Sequence, residues 1–83
     1  MISAYTFVRV ILHKNTLVLK KVKIIPIVKE TALIYGEYDI LVKTETKSLE
    51  ELNQFIYNVL RKIPDITKTT TMIVAKPPKT KPL

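Results

Sequence analysis

Four runs of the chain show the alternation of β-strands, and two stretches between them show the apolar spacing of helices. The first run, Ile2–Ile11, has apolar or small residues at its even positions, which predicts a buried strand face. A helix follows, and Asn15 is predicted to be its N-terminal cap. Pro26 ends it, because the residue before a proline avoids helical backbone. The apolar residues of this helix are Leu17, Val18, Val22 and Ile25.

The remainder of the chain contains three more strands and a longer helix. Val28–Tyr35 and Ile40–Thr46 are predicted strands joined by a short turn, and Ile66–Ala75 is predicted as the fourth strand. Ser48 and Glu51 have the spacing of a capping box, so the second helix begins there. Its apolar stripe, which ends before Pro64, consists of Leu49, Leu52, Ile56, Val59, Leu60 and Ile63, with Phe55 beside it.

The resulting order, βαββαβ, contains an internal repeat. A shift of 38 residues superposes Pro26 on Pro64 (64 − 26 = 38) and matches Val28 with Ile66. Two βαβ halves predict an α+β protein, a ferredoxin-like sandwich whose four-stranded antiparallel sheet carries both helices on one face. This domain accounts for residues 1–76, and residues 77–83 are predicted to form a basic, proline-rich tail.

The other face of the predicted sheet is free of helices, yet the odd-numbered strand positions are mostly apolar. A sheet face in water normally carries polar residues, and a large exposed apolar patch usually marks an interface. We therefore predict a homodimer that packs sheet against sheet. The alternative is that β-bulges shift the register of the strands. The predicted dimer interface consists of Tyr5, Phe7, Ile11, Leu33, Tyr35 and Leu41.

Composition narrows the class of protein. A domain within 83 residues has a small core, and association is a common way to add buried surface. The sequence has no cysteine, no apolar run that could span a membrane and no secretion signal, which predicts a cytoplasmic protein. The net charge of +7 leaves nucleic-acid binding open as an alternative. Abundant lysine and isoleucine are typical of proteins from heat-loving organisms.

The chain offers little for catalysis. His13 is the single histidine and stands at a strand end, so an imidazole metal site has no second ligand. Ser48 is accounted for by helix capping, and one glycine cannot build a phosphate-binding loop. We expect no enzymatic activity, no metal and no cofactor.

The turn Gly36–Asp39 contains the only glycine of the chain. By itself this turn predicts a hairpin and nothing more. The last strand adds Thr67, Thr69 and Thr71 at alternate positions, a row of hydroxyls that can donate and accept hydrogen bonds. Together with Asp39 and the backbone groups of the turn, these hydroxyls match the ammonium and carboxylate of an amino acid.

The same residues carry a resemblance to a known family. Gly36-Glu37-Tyr38-Asp39, followed by Ile40-Leu41-Val42-Lys43, resembles the G-x-[aromatic]-D signature of the effector-binding domain of Lrp/AsnC transcription regulators. Lys68-Thr69-Thr70-Thr71-Met72-Ile73-Val74 resembles the last strand of that domain. Ser48-Leu49-Glu50-Glu51-Leu52 and Ile63-Pro64-Asp65-Ile66 occupy matching places, so the similarity covers nearly all of residues 2–75.

The resemblance implies a ferredoxin-like fold, dimers joined through their sheets, rings of dimers, and small effectors, usually amino acids, held between dimers. It implies that Gly36, Tyr38 and Asp39 line the effector pocket and that Thr69 and Thr71 contact the ligand. Regulators of this family also carry a DNA-binding helix-turn-helix domain, for which the sequence has no counterpart. The expectation is a stand-alone effector domain that modulates full-length regulators without binding DNA itself.

Two alternatives to an effector domain stay open from the sequence. One is a purely structural oligomerisation domain that binds no ligand. The other is direct nucleic-acid binding through the lysines of the first helix and of the tail.

Overall fold

A computed structural model describes residues 1–75; the predicted tail, residues 77–83, lies outside the described residues. The elements are β1 (Ile2–Val10), α1 (Asn15–Lys23), β2 (Val28–Leu33), β3 (Ile40–Thr46), α2 (Leu49–Gln54) and β4 (Ile66–Ile73). Helix α2 continues directly into a π-helical turn (Phe55–Val59) and a 3-10 turn (Leu60–Lys62). We call these three parts together the second helical segment. Within residues 1–75, no helix combines the length and hydropathy needed to cross a bilayer.

The four strands form one antiparallel sheet in the order β2-β3-β1-β4. Both helical segments cover the same face of this sheet. The chain is therefore an α+β protein with the βαββαβ order and ferredoxin-like topology that the sequence pattern predicts. Strand β4 lies at one edge of the sheet beside β1, and β2 lies at the opposite edge beside β3.

The core lies between the sheet and the two helical segments. The even positions of β1 and β3 face it and are buried from Ala4 to Val10 and from Ile40 to Thr46. Since β1 pairs with β3 through partners of equal parity, such as Ala4 with Thr44, the two central strands present one continuous buried surface. The helical side chains that complete the core are Val18, Val22, Leu52, Phe55, Ile56 and Leu60.

Each edge strand contains one β-bulge, and the two bulges occupy equivalent positions in the internal repeat. In β2 the register shifts at Lys29, and in β4 it shifts at Thr67 (67 − 29 = 38). Beyond each bulge the parity of the strand is reversed. Thr31 and Thr69 are therefore paired with even-numbered core residues and lie on the helix side of the sheet.

The bulge in β2 corrects one part of the predicted interface. Leu33 pairs with Ile40, which is fully buried under the helices, so Leu33 lies on the helix side and not on the free face. Its place on the free face is taken by Ala32, which pairs with Leu41. The assumption that all odd positions share one face fails in β2, because one extra residue reverses the alternation of every residue after it.

The other predicted interface residues fall into two groups. Tyr5, Phe7 and Leu41 lie half-buried on the helix-free face, since Phe7 pairs with Leu41 and Tyr5 with Lys43. Ile11 and Tyr35 lie outside the strands, and Tyr35 is fully exposed in the β2–β3 connection. The free face thus keeps a compact apolar centre, whereas the dimer itself stays a prediction.

Helix α1 begins one residue earlier than expected. Its N-terminal cap is Lys14, which makes no side-chain capping bond, and Asn15 lies inside the first turn. The expected capping role of Asn15 is therefore wrong. The preceding residue, His13, has a positive φ of 71°, and the helix begins at Asn15, directly after this left-handed turn and the cap residue Lys14. Three lysines in the last turn of α1 complement the negative end of the helix dipole.

The start of the second helical segment follows the predicted capping box. The Glu51 N–H donates to Ser48 Oγ over 3.1 Å, and the Glu51 carboxylate accepts from the Lys47 N–H over 2.8 Å. The predicted uninterrupted helix is wrong further along. At the π-helical turn the Leu60 N–H donates to the carbonyls of Phe55 and Ile56, which widens the helix by one residue.

One buried hydroxyl of the core leads to a stability prediction. Thr44 is fully buried beneath the helices, and its Oγ1 has no hydrogen-bond partner within residues 1–75. Valine has the same shape and removes the unsatisfied group, so we expect Thr44→Val to raise the free energy of unfolding by about 1 kcal/mol. Urea denaturation measures the change.

A matched control is Thr46→Val in the same strand. Thr46 is as deeply buried as Thr44, but its hydroxyl donates to the Ser48 carbonyl over 3.0 Å. Its replacement is expected to lower the free energy of unfolding by about 1 kcal/mol. If both variants lose stability, the Thr44 hydroxyl has a partner after all and the prediction fails.

Candidate functional site

The β2–β3 connection, residues 34–39, is a hairpin whose backbone requires its glycine. Gly36 has φ of +119°, a conformation that residues with a side chain rarely adopt. A Cβ atom built on Gly36 meets no atom within 4 Å. The glycine therefore serves the backbone conformation and leaves open space beside the turn. The Ile34 N–H donates to the Asp39 carbonyl over 2.9 Å and closes the hairpin.

Asp39 fastens this hairpin to the end of strand β1. Its Oδ2 accepts from the Val10 N–H over 2.8 Å, and its own N–H donates to the Val8 carbonyl over 2.8 Å. Charge-assisted hydrogen bonds of this kind are among the stronger ones in proteins. One carboxylate oxygen of Asp39 is therefore committed to the fold.

Tyr38 lies on the helix-free face of the sheet. Its hydroxyl and the Thr70 hydroxyl form a hydrogen bond of 2.7 Å. Its ring packs against Phe7 with 5.6 Å between the ring centroids and an interplanar angle of 49°. Both partners lie on neighbouring strands, since Phe7 pairs with Thr70. Tyr38 thus ties the hairpin to β1 and β4 from the side opposite the helices.

Two cations and one carboxylate complete the surroundings of Tyr38. The Arg9 guanidinium and the Lys68 ammonium lie 5.7 Å and 5.6 Å from the ring centroid. Glu37 is 3.7 Å from Arg9 and 4.0 Å from Lys68, and its carbonyl accepts from Arg9 Nε over 2.9 Å. Sequence reasoning missed these partners, although Arg9 and Lys68 pair directly in the sheet.

Thr69 and Thr71 lie on the opposite, helix-facing side of β4. Thr69 pairs with Val8 and Thr71 with Thr6, and the hydroxyls of Thr6 and Thr71 are 2.9 Å apart. The third threonine of the predicted row, Thr67, is the bulge residue. Its hydroxyl donates to the Arg9 carbonyl over 3.3 Å, at the other end of the strand.

A cavity of about 410 Å³ opens between the second helical segment and β4, and we call it the helix–strand cavity. Its volume is in the range of small-molecule sites. Hydroxyl, amide, phenol and guanidinium groups line it together with three aliphatic side chains. The lining residues are Leu52, Asn53, Ile56, Tyr57, Arg61, Thr69, Thr71 and Ile73.

A second cavity of about 400 Å³ lies beside the glycine turn, and we call it the hairpin cavity. It is lined by Asn15, Leu33, Ile34, Tyr35, Gly36 and Asp39. The five residues predicted to bind an effector are thus distributed over three places in one chain. Gly36 and Asp39 line the hairpin cavity, Thr69 and Thr71 line the helix–strand cavity, and Tyr38 lies on the free face of the sheet.

The sequence pattern alone did not identify three polar residues that line the helix–strand cavity. Asn53, Tyr57 and Arg61 follow one another at four-residue intervals, so they form one row along the second helical segment. This polar row stands directly beside the buried row Leu52, Ile56 and Leu60. A polar row of constant spacing next to the apolar stripe is a sequence signal that could have found them.

The chemistry of both cavities is that of hydrogen bonding and charge. Of the described residues, no group of three histidine, cysteine, aspartate or glutamate side chains is placed to hold a metal ion. Within the described part of the chain, each cavity has one formally charged lining residue, Arg61 in the helix–strand cavity and Asp39 in the hairpin cavity. These charges are of opposite sign.

The βαββαβ sandwich, with helices on one sheet face and polar cavities at the sheet edges, places the chain in the class of small ferredoxin-like domains. The profile of the family described as the Lrp/AsnC ligand binding domain matches residues 3–83. The chain belongs to this family, as the resemblance of its turn and last strand predicts.

Three relatives illustrate the contexts of the domain. Homocitrate synthase of Sulfurisphaera tokodaii is 46% identical over 62 residues, which cover 75% of this chain and 13% of the enzyme. The HTH-type transcriptional regulator FL11 of Pyrococcus horikoshii is 37% identical over 73 residues, which cover 88% of this chain and 48% of the regulator. The match therefore spans at most about half of these two proteins.

The third relative is a solved structure of similar length. The structure of hypothetical protein PHS023 from Pyrococcus horikoshii superposes with a TM-score of 0.85 at 40% identity, and the match covers 93% of both chains. A chain of this size and fold thus occurs in another protein without the additional length of the enzyme or the regulator.

Proposed function

We propose that this protein is an effector-binding and oligomerisation module of transcription-regulator type, which binds an amino acid and modulates full-length regulators without binding DNA itself. The observation that carries the proposal is the helix–strand cavity, in which Thr69 and Thr71 present hydroxyls within a domain of the Lrp/AsnC ligand binding family. The same hydroxyls are the ones that the family resemblance assigns to the ligand.

Charge supports an amino acid as the ligand. A free amino acid carries a carboxylate, which requires hydrogen-bond donors, and an ammonium group, which requires acceptors. The helix–strand cavity offers donors and the positive charge of Arg61, and the hairpin cavity offers the second carboxylate oxygen of Asp39. The two ends of one small ligand thus find complementary groups in two different cavities.

This division supports a site that is completed by a second subunit. In the proposed assembly the hairpin cavity of one subunit, with Gly36 and Asp39, faces the helix–strand cavity of another, with Thr69 and Thr71. Tyr38 contributes by holding the hairpin against the sheet, through the bond of its hydroxyl to Thr70.

We propose that the basic unit of this assembly is a homodimer joined through the helix-free sheet faces, with dimers arranged into rings. The apolar centre of that face supports the contact: Tyr5, Phe7 and Leu41 are half-buried in the single chain, and Met72 is 59% exposed beside them. Burial of these side chains in a partner adds the apolar area that a small domain lacks.

An isothermal calorimetry screen of the twenty amino acids tests the proposal, with the oligomeric state followed by light scattering. We expect at least one amino acid to bind, and we expect Thr71→Val to weaken that binding about 10-fold, which corresponds to loss of one hydrogen bond. Thr31→Val is the matched control, because Thr31 is a half-buried threonine on the helix side of the opposite edge strand. If none of the amino acids binds to the intact oligomer, the chain is a structural oligomerisation domain instead.

A second candidate function concerns the protein that this module controls. The 46% identity to a segment of homocitrate synthase shows that a closely similar domain occurs within a biosynthetic enzyme. In this second candidate function, the protein that the module regulates is an enzyme and not a DNA-binding protein. Co-purification with the tagged chain tests whether the partner is a regulator or an enzyme, because the class of the co-purified protein can be identified. The activity of that protein is then measured with and without the added amino acid.

A further inference from the structure

The polar row Asn53, Tyr57 and Arg61 runs from α2 through the π-helical turn into the 3-10 turn. In a regular α-helix, residues four apart drift by about 40° around the axis at each step. The wider turn at Phe55–Val59 removes part of this drift. All three side chains of the row line the cavity together with residues of β4.

The Arg61 side chain contacts the Tyr57 ring and has unused donors. Its guanidinium lies 5.4 Å from the centroid of the Tyr57 ring, a cation–π contact between residues four apart in the helix. No side-chain hydrogen bond or ion pair formed among residues 1–75 uses the Arg61 guanidinium. The other arginine, Arg9, is engaged with both Glu37 and Tyr38.

The strand side of the cavity supplies two further donors. The hydroxyls of Thr69 and Thr71 line the cavity, and that of Thr71 is bonded to the hydroxyl of Thr6 at 2.9 Å. Thr6 is fully buried, so its hydroxyl cannot reach the cavity itself. When Thr6 donates to Thr71, the Thr71 O–H is free to donate to a ligand.

We propose that Arg61, with the hydroxyls of Thr69 and Thr71, binds the carboxylate of a small ligand in the helix–strand cavity, and that the buried Thr6 is the positioning residue for Thr71. A planar guanidinium matches a carboxylate with two parallel hydrogen bonds. The inference deepens the proposed function and rests on it for the identity of the ligand as an amino acid. In the assembly proposed above, this orientation directs the ammonium group toward Asp39 of a neighbouring subunit.

Isobutyrate and isobutyramide are suitable probes, since they share their shape and differ in charge. In NMR titrations of the full chain, isobutyrate is expected to shift the Arg61 Nε–H and the Thr69 and Thr71 amide signals and to bind about 10-fold more tightly than isobutyramide. Arg61→Gln is expected to reduce this ratio to about 1. The matched control is Lys62→Gln, which removes the same charge one residue away, outside the cavity lining, and is expected to keep the ratio.

The role of Thr6 has its own readout in the same titrations. Thr6→Val is expected to lower the preference for isobutyrate in the wild-type background and to have no further effect in a Thr71→Val background. A purely structural role of Thr6 changes the melting temperature and leaves the ratio of the two affinities as it was. Equal effects of Thr6→Val in both backgrounds contradict the positioning role.

Failure of the inference and failure of the proposed function give different results. If an amino acid binds in calorimetry but Arg61→Gln binds it as tightly as the wild type, the carboxylate site is wrong and the effector function stands. If isobutyrate binds through Arg61 but none of the amino acids binds, the carboxylate site stands and the amino-acid function is wrong. No response of the Arg61, Thr69 and Thr71 signals to isobutyrate overturns the carboxylate site.

Discussion

Replacement of Leu60 by alanine is expected to lower the free energy of unfolding by about 3 kcal/mol. Leu60 is fully buried at the end of the π-helical turn and packs in the core between the helices and the sheet. Truncation of a buried leucine removes its apolar contacts and leaves a cavity, which together cost about 2–5 kcal/mol. For a small domain this is a large part of the total stability, and urea denaturation measures the loss.

Val59→Ala is the control that makes this prediction specific to the π-helical turn. The apolar stripe of a regular α-helix includes both Val59 and Leu60, but in the structure Val59 is 41% exposed. Its replacement is expected to change stability by less than about 0.5 kcal/mol. Equal losses for the two variants would mean that the segment is a regular helix and that the polar row Asn53, Tyr57 and Arg61 is aligned differently.

The second large effect is expected at Asp39. Asp39→Ala removes the acceptor of the Val10 N–H and is expected to lower the free energy of unfolding by about 2 kcal/mol, because charged hydrogen bonds contribute about 1.5–3 kcal/mol. Asp39→Asn keeps an acceptor at the same place and is expected to cost about half as much or less. Urea denaturation of the three proteins provides the comparison.

The asparagine variant also separates the structural role of Asp39 from its proposed contact with an effector. Among residues 1–75, Asp39 supplies the single formal charge in the lining of the hairpin cavity. If this charge contacts the ammonium of an amino acid, Asp39→Asn binds the ligand about 10-fold more weakly while the fold and the size of the oligomer stay unchanged. Unchanged affinity in Asp39→Asn would leave Asp39 with the structural role alone.

Both a homocitrate synthase and a transcriptional regulator contain segments related to this chain. The proposed module binds a small molecule and transmits this binding through subunit contacts. Such a module can be part of an enzyme or of a transcriptional regulator, because the contacts do not depend on the activity of the partner. The proposed orientation of the ligand, carboxylate to Arg61 and ammonium to Asp39, uses two subunits for one ligand. Ligand binding then stabilises the assembly as well as each chain.

The order and type of the elements were predictable from local chemistry. Alternation marks the strands, and Ser48 with Glu51 marks the start of the second helical segment by a capping bond that the structure contains. The 38-residue repeat adds the βαββαβ topology, because two βαβ halves pack in one common way. Gly36 marks the hairpin, since its φ of +119° is a local requirement of the backbone.

The composition of the candidate site was only half predictable. The sequence and the family resemblance point to Thr69 and Thr71, which line the helix–strand cavity in the structure. They also point to Tyr38 and Asp39, but the polar groups of these residues bond to Thr70 and to the Val10 N–H, partners about thirty residues away that no local pattern reveals. The spacing of the polar row marks Arg61 as a neighbour of the apolar stripe, but only the tertiary structure shows that it lines a cavity with Thr69 and Thr71.

By itself the sequence determined the order of strands and helices, the antiparallel sheet with helices on one face, and the family. Tertiary structure alone decided which side chains meet. A bulge at Lys29 moves Leu33 to the helix side, a bulge at Thr67 moves Thr69 and Thr71 there too, and a π-helical turn brings Arg61 over β4. Each of these three features is a one-residue change of register, and its free energy depends on packing against residues far away in the sequence. For this reason the periodicity of the chain does not predict it.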